Sequence, residues 1–228
     1  MLPFDPTDPF PLLPPGLHSY AEAQEHSEYV DRWLGFDLNK IENELLTRPS
    51  CDESGTDAPQ RLWIGLSPQA MLTPYTEIRS ILAKLAPQAG ETVVDLGAGY
   101  GRMGLVIGRH YPEVHFLGYE FVNPRVAEAQ RIFARMNFSS SSIRMQRADL
   151  NVAGFVPLEA SFYFIYDFGT RQAIEHSLAS LRTIARHKPI TVVGRGRASR
   201  DAIERRHPWL SQIVVPEHYG HYSIFRSA

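Results

Sequence analysis

Four carboxylates stand at or just past short apolar runs: Asp95 in TVVDL, Glu120 after VHFLGY, Asp149 after IRMQRA and Asp167 after SFYFIY. Ionised carboxylates accept hydrogen bonds and donate none. Each can therefore hold a cis-diol, an amino group or an ammonium. Between the first two acids, Gly97, Gly99 and Gly101 alternate with Ala98 and Tyr100, and Met103, Leu105, Val106 and Ile107 then begin a helical pattern. A strand that passes through such a turn into a helix brings bare backbone and a helix N-terminus close to a ligand. Glu120 follows Gly101 by 19 residues (120 − 101) and has Phe121 beside it, a ring suited to packing on a flat base.

The glycines admit three readings. Gly99, Gly101 and Gly104 fit the dinucleotide spacing G-x-G-x-x-G, but that register leaves Asp95 unexplained. Counted from Gly97, the sixth position is Arg102 and the pattern fails. A glycine-rich turn with no ligand is the third reading. The alternative pattern, D-x-G-x-G-x-G, is met at every fixed position by Asp95-Leu96-Gly97-Ala98-Gly99-Tyr100-Gly101.

Other reactive side chains are few. Cys51 is the sole cysteine, so the chain has no internal disulfide and no thiol-based metal centre. His218 and His221 lie i, i+3 in EHYGHY with no third metal ligand in view, and read as a polar turn or as a base at a substrate pocket. Arg195, Arg197, Arg200, Arg205 and Arg206 form a basic run suited to phosphate or an acidic peptide, and equally to an exposed face diluted by Asp201 and Glu204.

The elements that must position these groups can be traced along the chain. Residues 1–15 carry six prolines among Phe4, Phe10, Leu12 and Leu13, and read as an extended arm anchored by its apolar residues. Residues 19–47 read as helix, divided at Gly35, with Tyr29, Trp33 and Phe36 on one stripe and Leu38, Ile41 and Leu45 on another. Residues 49–60 read as a polar surface loop, and Trp63, Ile64 and Met71 surround Gly65 and Pro68. Thr73-Pro74 reads as a helix cap followed by a first-turn proline, with Ile78, Ile81, Leu82 and Leu85 on the buried face.

Strands are then expected at 92–96, 114–120, 143–147, 161–167 and 190–194, separated by helices that begin after Gly101, at Asn123-Pro124 and at Thr170, with a further short helix from about Arg200. Two final strands are expected at 212–216 and 222–225. The result is an α/β, doubly wound, Rossmann-like sheet of seven strands with an antiparallel terminal hairpin and an N-terminal helical extension. The boundary falls between an extension at 1–71 and a domain at 72–228.

Residues from about Leu72 to Phe225 resemble the class I S-adenosylmethionine (SAM) methyltransferases, on the Asp95–Gly101 motif and the ordered strand-end acids. The resemblance implies SAM as cofactor. It places the backbone of Gly97, Ala98, Gly99 and Gly101 against methionine and ribose, with Arg102 and Met103 where the helix starts. It gives Asp95 the amino-acid end through water, Glu120 the ribose, Phe121 the adenine face, and Asp149 and Leu150 the adenine edge. Asp167, beside the cofactor, and Tyr166 would orient the nucleophile. TPYTEI at 73–78, GYE at 118–120 and the following Asn123-Pro124 are similar to the seven-strand protein-lysine methyltransferases, which adds Thr73, Tyr75 and Glu77 to the pocket.

The expected activity is methyl transfer to an N or O nucleophile, with a protein lysine ahead of a small molecule. A non-catalytic SAM- or nucleotide-binding module is the alternative. Tyr166-Asp167-Phe168-Gly169 departs from the N/D-P-P-Y/F of nitrogen-directed enzymes acting on bases, no second cysteine serves a cytosine-C5 mechanism, and Asp167 alone makes no magnesium site. A net charge of −2 gives no global argument for nucleic acid, and no apolar run approaches the ~20 residues of a membrane span. A start without basic residues, broken by prolines, is unlike a signal peptide, so a soluble cytoplasmic protein is expected.

Overall fold

The computed structural model describes residues 2–47 and 66–227; the loop read at 49–60, Cys51, Trp63, Ile64 and Gly65 lie outside the described residues. Seven strands form one sheet in the order β3-β2-β1-β4-β5-β7-β6. They are β1 (Thr92–Leu96), β2 (His115–Glu120), β3 (Ile143–Arg147), β4 (Phe162–Tyr166), β5 (Thr191–Arg195), β6 (Glu217–His218) and β7 (Tyr222–Arg226). The first five run parallel and β7 is antiparallel to both its neighbours.

Strand alternation sorts side chains to two faces. Val93 joins one apolar cluster with residues of α4 (Tyr75–Leu85), α5 (Arg102–His110) and α6 (Asn123–Arg135). Val94 and Leu96 join the other, under α7 (Arg171–Ala185) and α8 (Arg197–Arg206). Because β1 leads left to β2 and β4 lies to its right, the chain reverses direction beside β1, and the carboxyl ends of β1, β2 and β4 surround one crevice.

The N-terminal segment packs into the first of these clusters through Phe10, Val30, Leu34, Phe36 and Leu38. Its helices, α1 (Tyr20–Leu34) and α2 (Leu38–Thr47), meet at Gly35, whose left-handed backbone closes α1. Ser19 and Glu22 form a reciprocal capping box at the start of α1. A short helix, α3 (Pro68–Met71), precedes α4.

Several sequence expectations are corrected. Tyr29 and Trp33 are 42% and 39% exposed and pack on Phe4 of the arm, because the face of α1 turned to the core carries Ser27, Asp31 and Leu34. Phe10 anchors the arm, whereas Leu12 is exposed. Helix α4 starts at Tyr75, with Pro74 at the cap position and no side-chain cap bond, so Thr73 is not its cap. Residues 212–216 are not a strand: Ile213 and Val215 are exposed, and pairing with β7 begins only at Glu217.

Candidate functional site

The crevice contains a cavity of about 230 Å³, many times the ~30 Å³ share of one water and therefore of ligand size. Gly97, Gly99 and Tyr100 form its floor, Glu120, Phe121, Val122 and Arg125 one side, and Tyr166 with the 167–169 segment the other. Leu150 and Asn151 close the far wall, and Ala70, Met71 and Leu72 the near one.

The floor is tied to β2 by two amides, Gly97 N and Ala98 N, which both donate to the Tyr119 carbonyl at 3.0 and 2.9 Å. Gly97 has φ +85°, and a Cβ there would overlap the Cβ of Phe168. Glycine is required on both counts: the left-handed backbone and the close approach of the β4 loop.

Glu120 lies 7% exposed at the end of β2. One carboxylate oxygen accepts from Gly99 N and the other from Val122 N, both at 2.9 Å. The Phe121 amide also acts on the carboxylate, so of its four acceptor positions one is left open. Burial raises the Glu120 pKa, while the Arg125 charge and the amides of Val122 and Gly99 oppose the rise.

Asp95 is 6% exposed on the other side of the turn. Burial, reinforced by the negative charge of Glu120, pushes its pKa up to about 8. It lines a smaller adjoining hollow with Thr73, Ala98, Arg102 and Met103. Gly97 and Tyr166 border both hollows and so join them. Arg102 is 3% exposed and pairs with Asp31 of α1 while its Nη1 donates to the Thr73 carbonyl at 3.1 Å, so its charge is spent inside the protein.

Four expected residues line neither hollow. Tyr75 is fully buried and its hydroxyl donates to Asp31 Oδ1 at 2.8 Å. The Glu77 carboxylate accepts from Arg195 Nε at 2.5 Å. Gly101 lies behind the turn against Phe133, and Asp149 Oδ1 accepts from the backbone and side-chain nitrogens of Asn151. Asn151, two residues further on, lines the cavity, and its side chain links Asp149 to Thr170.

Asp167 borders the cavity, yet its carboxylate faces α8. Its oxygens accept from Ala198 N at 3.2 Å and from Ser199 N and Oγ at 2.7 and 2.8 Å. Those are the second and third amides of α8, so Asp167 caps that helix from across the sheet. The backbone at Asp167 adopts φ +30° to make the turn. The carboxylate expected to orient a nucleophile thus holds α8, with Oδ2 taking a single bond. Tyr166 remains: its hydroxyl donates to the Ala70 carbonyl at 3.2 Å, and the Arg195 guanidinium lies 4.1 Å from its ring centroid.

Arg195, grouped from sequence with an exposed basic run, is 3% exposed and held by Glu77 and by the Tyr20 hydroxyl. His218 and His221 stand away from the cavity, His218 against Ser223 and His221 against the Tyr20 ring. Sequence reading missed Tyr100 and Arg125 in the cavity, and Asp31 and Glu42 behind it. The signal for the last two was present: Ser27-Asp31-Leu34 and Leu38-Glu42-Leu45 keep i, i+4, i+7 spacing, so each acid sits within a buried stripe.

No protein-family model and no curated protein matches the sequence. Solved structures do. TrmN from Thermus thermophilus is 16% identical with TM-score 0.50, the match covering 68% of this chain and 48% of that one. An RNA methyltransferase from Salinibacter ruber, solved in complex with S-adenosyl-L-homocysteine, is 17% identical with TM-score 0.50, covering 68% and 91%. YcgJ from Bacillus subtilis is 16% identical with TM-score 0.40, covering 52% and 50%. The chain therefore spans about half the length of two of the three. At these identities the likeness shows the fold: the seven-strand, Rossmann-like sheet of class I methyltransferases with its terminal antiparallel strand.

Proposed function

We propose that this chain is a SAM-dependent methyltransferase acting on an N or O nucleophile. One observation carries the proposal. Glu120 is a buried carboxylate that braces the glycine turn through Gly99 N and still presents an open acceptor position inside a ligand-sized cavity. A ribose hydroxyl supplies the donor for it. The rest of the donor set fits the same molecule. Asp95 would take the cationic amino-acid end, and Phe121 and Leu150 the faces of the base, in the cavity and its adjoining hollow.

Bound there, SAM brings a methyl group already activated on a sulfonium, so the chain's task is alignment and exclusion of water. Tyr166 serves alignment: it borders both hollows, and Arg195 and the Ala70 carbonyl fix its ring and hydroxyl. With Asp167 committed to α8, an amine acceptor would arrive already neutral. The resemblance of TPYTEI and GYE favours a protein lysine, and a small molecule stands second. The description of the Salinibacter neighbour adds RNA to the acceptors worth assaying.

A second reading draws on Asp167 itself. A strand-end acid diverted to capping leaves a SAM-binding module without a general base at that position.

Calorimetric titration with S-adenosylhomocysteine and with NAD tests the ligand; tight NAD binding with no S-adenosylhomocysteine binding would overturn both readings. Incubation with methyl-labelled SAM and fractionated lysate tests transfer. Label entering a protein, RNA or small-molecule fraction, and lost in Asp95→Ala and Glu120→Ala, supports the enzyme. Binding without incorporation into any fraction supports the module.

A further inference from the structure

Glu42 belongs to α2, in the N-terminal extension, yet its carboxylate lies behind the cavity wall, 4% exposed. It accepts from Arg125 Nε at 2.8 Å and Nη2 at 3.0 Å, and from the Tyr100 hydroxyl at 2.7 Å. Both partners line the cavity, and Arg125 lines it on the same side as Glu120. Arg125 is itself buried, 7% exposed, and the charges of Arg125 and Glu120 attract one another.

A buried guanidinium seeks a carboxylate, preferably in the two-pronged geometry that planar groups allow. Two carboxylates are within the influence of Arg125, and only one takes its hydrogen bonds. Were Glu42 uncharged, Glu120 would be the remaining anion, and its open acceptor position is the one a ribose needs.

We infer that Glu42 is a positioning residue for the cofactor: it holds Arg125 away from Glu120 and so keeps the Glu120 carboxylate open to the ribose hydroxyls. The inference rests on the cofactor reading above. It makes the N-terminal extension part of the binding site although α2 contributes no residue to the cavity lining. Tyr100 reinforces the arrangement as a third point of attachment, donating to the Glu42 oxygen that also accepts from Arg125 Nε.

The experiment compares affinities for S-adenosylhomocysteine and its 2′-deoxy analogue by calorimetry. The wild type is expected to prefer the full ribose by about tenfold, the scale of one hydrogen bond to a charged group. Glu42→Gln keeps size and shape and loses charge; it is expected to bind S-adenosylhomocysteine about tenfold more weakly and to show little preference between the two ligands. Glu42→Gln/Arg125→Gln removes the competing cation as well and is expected to recover the preference. A purely structural role for Glu42 predicts something else: both ligands weaken alike in the single variant and the double variant recovers nothing. That result, or a single variant indistinguishable from wild type, overturns the inference. If the single variant does not fold, the double variant, which leaves no buried guanidinium without its carboxylate, carries the test, and absence of the ribose preference there overturns it. Failure of the wild type to bind either ligand is a different result and removes the cofactor reading itself.

Discussion

At the scale of single residues, Asp95 sets the pH behaviour. Its carboxyl titrates at about 8 because burial, and then Glu120, penalise its charge. Unfolded, the same group titrates near ~3.9. The folded state therefore binds the extra proton, and stability from this group is fully present below the unfolded value. It declines as pH rises from about 4 to about 8, on a scale of ~1.4 kcal/mol per pH unit. Thermal unfolding without ligand should show this fall, and Asp95→Asn should flatten it. A cationic ligand end reverses the preference by stabilising the charged carboxylate. S-adenosylhomocysteine should thus bind more tightly as pH rises from 6 toward 8, with proton release at pH 7 measurable by calorimetry in two buffers. A pH-independent affinity over that range would separate Asp95 from the ligand.

Asp167 shows how a residue can be readable by position while its partner is not. Its place at the end of β4 follows from a run of aromatic and apolar residues, but the partner that claims its carboxylate lies some thirty residues away at the start of α8, beyond the reach of local patterns. Asp167→Ala should cost about 1–2 kcal/mol of stability through loss of the helix cap, read by urea unfolding.

At the scale of elements, the glycine turn and the extension hold the crevice in shape. Gly97→Ala places a methyl group on the Cβ of Phe168 and demands φ +85° of an alanine. A loss of roughly 1–3 kcal/mol from the backbone alone is expected. Removing the opposing Cβ and ring with Phe168→Gly should not restore stability, because the backbone requirement remains. Both variants can be followed by urea denaturation, and full rescue would show that contact, not conformation, dictates the glycine. On the extension side, Asp31 is the buried acid that pairs with Arg102. Asp31→Ala leaves that guanidinium buried without its counter-charge, a change expected to cost ~3–5 kcal/mol. These elements were legible in unequal measure. The five parallel strands were visible because each is a short apolar run or, in β3, an alternating one, bounded by turn residues. The final strand was placed correctly, but its hairpin partner was expected five residues early, because Ile213 and Val215 look like strand residues until the exposure of their loop is seen. The polar links from α1 to α5 and from α2 to α6 span 71 and 83 residues of sequence, and no pattern within a helix reports them.

At the scale of the whole molecule, sheet order determines where a ligand can act. The reversal beside β1 opens the cavity, and the N-terminal segment closes over the same face of the sheet, sharing one core with β1 and α4 to α6. A ligand seated in that crevice contacts the ends of three strands and stabilises them together. Ligand at 100 times its dissociation constant adds ~2.7 kcal/mol to a protein that binds it only when folded. For a chain of this size each kcal/mol raises the melting temperature by roughly 2–4 °C. S-adenosylhomocysteine should therefore raise it by about 5–11 °C and NAD should leave it unchanged. Because Glu120 bridges the turn after β1 to the end of β2, Glu120→Ala should abolish the ligand-induced shift while also lowering the baseline. A shift of equal size in Glu120→Ala would mean that the ligand is held elsewhere on the molecule, whatever the resemblance of the fold.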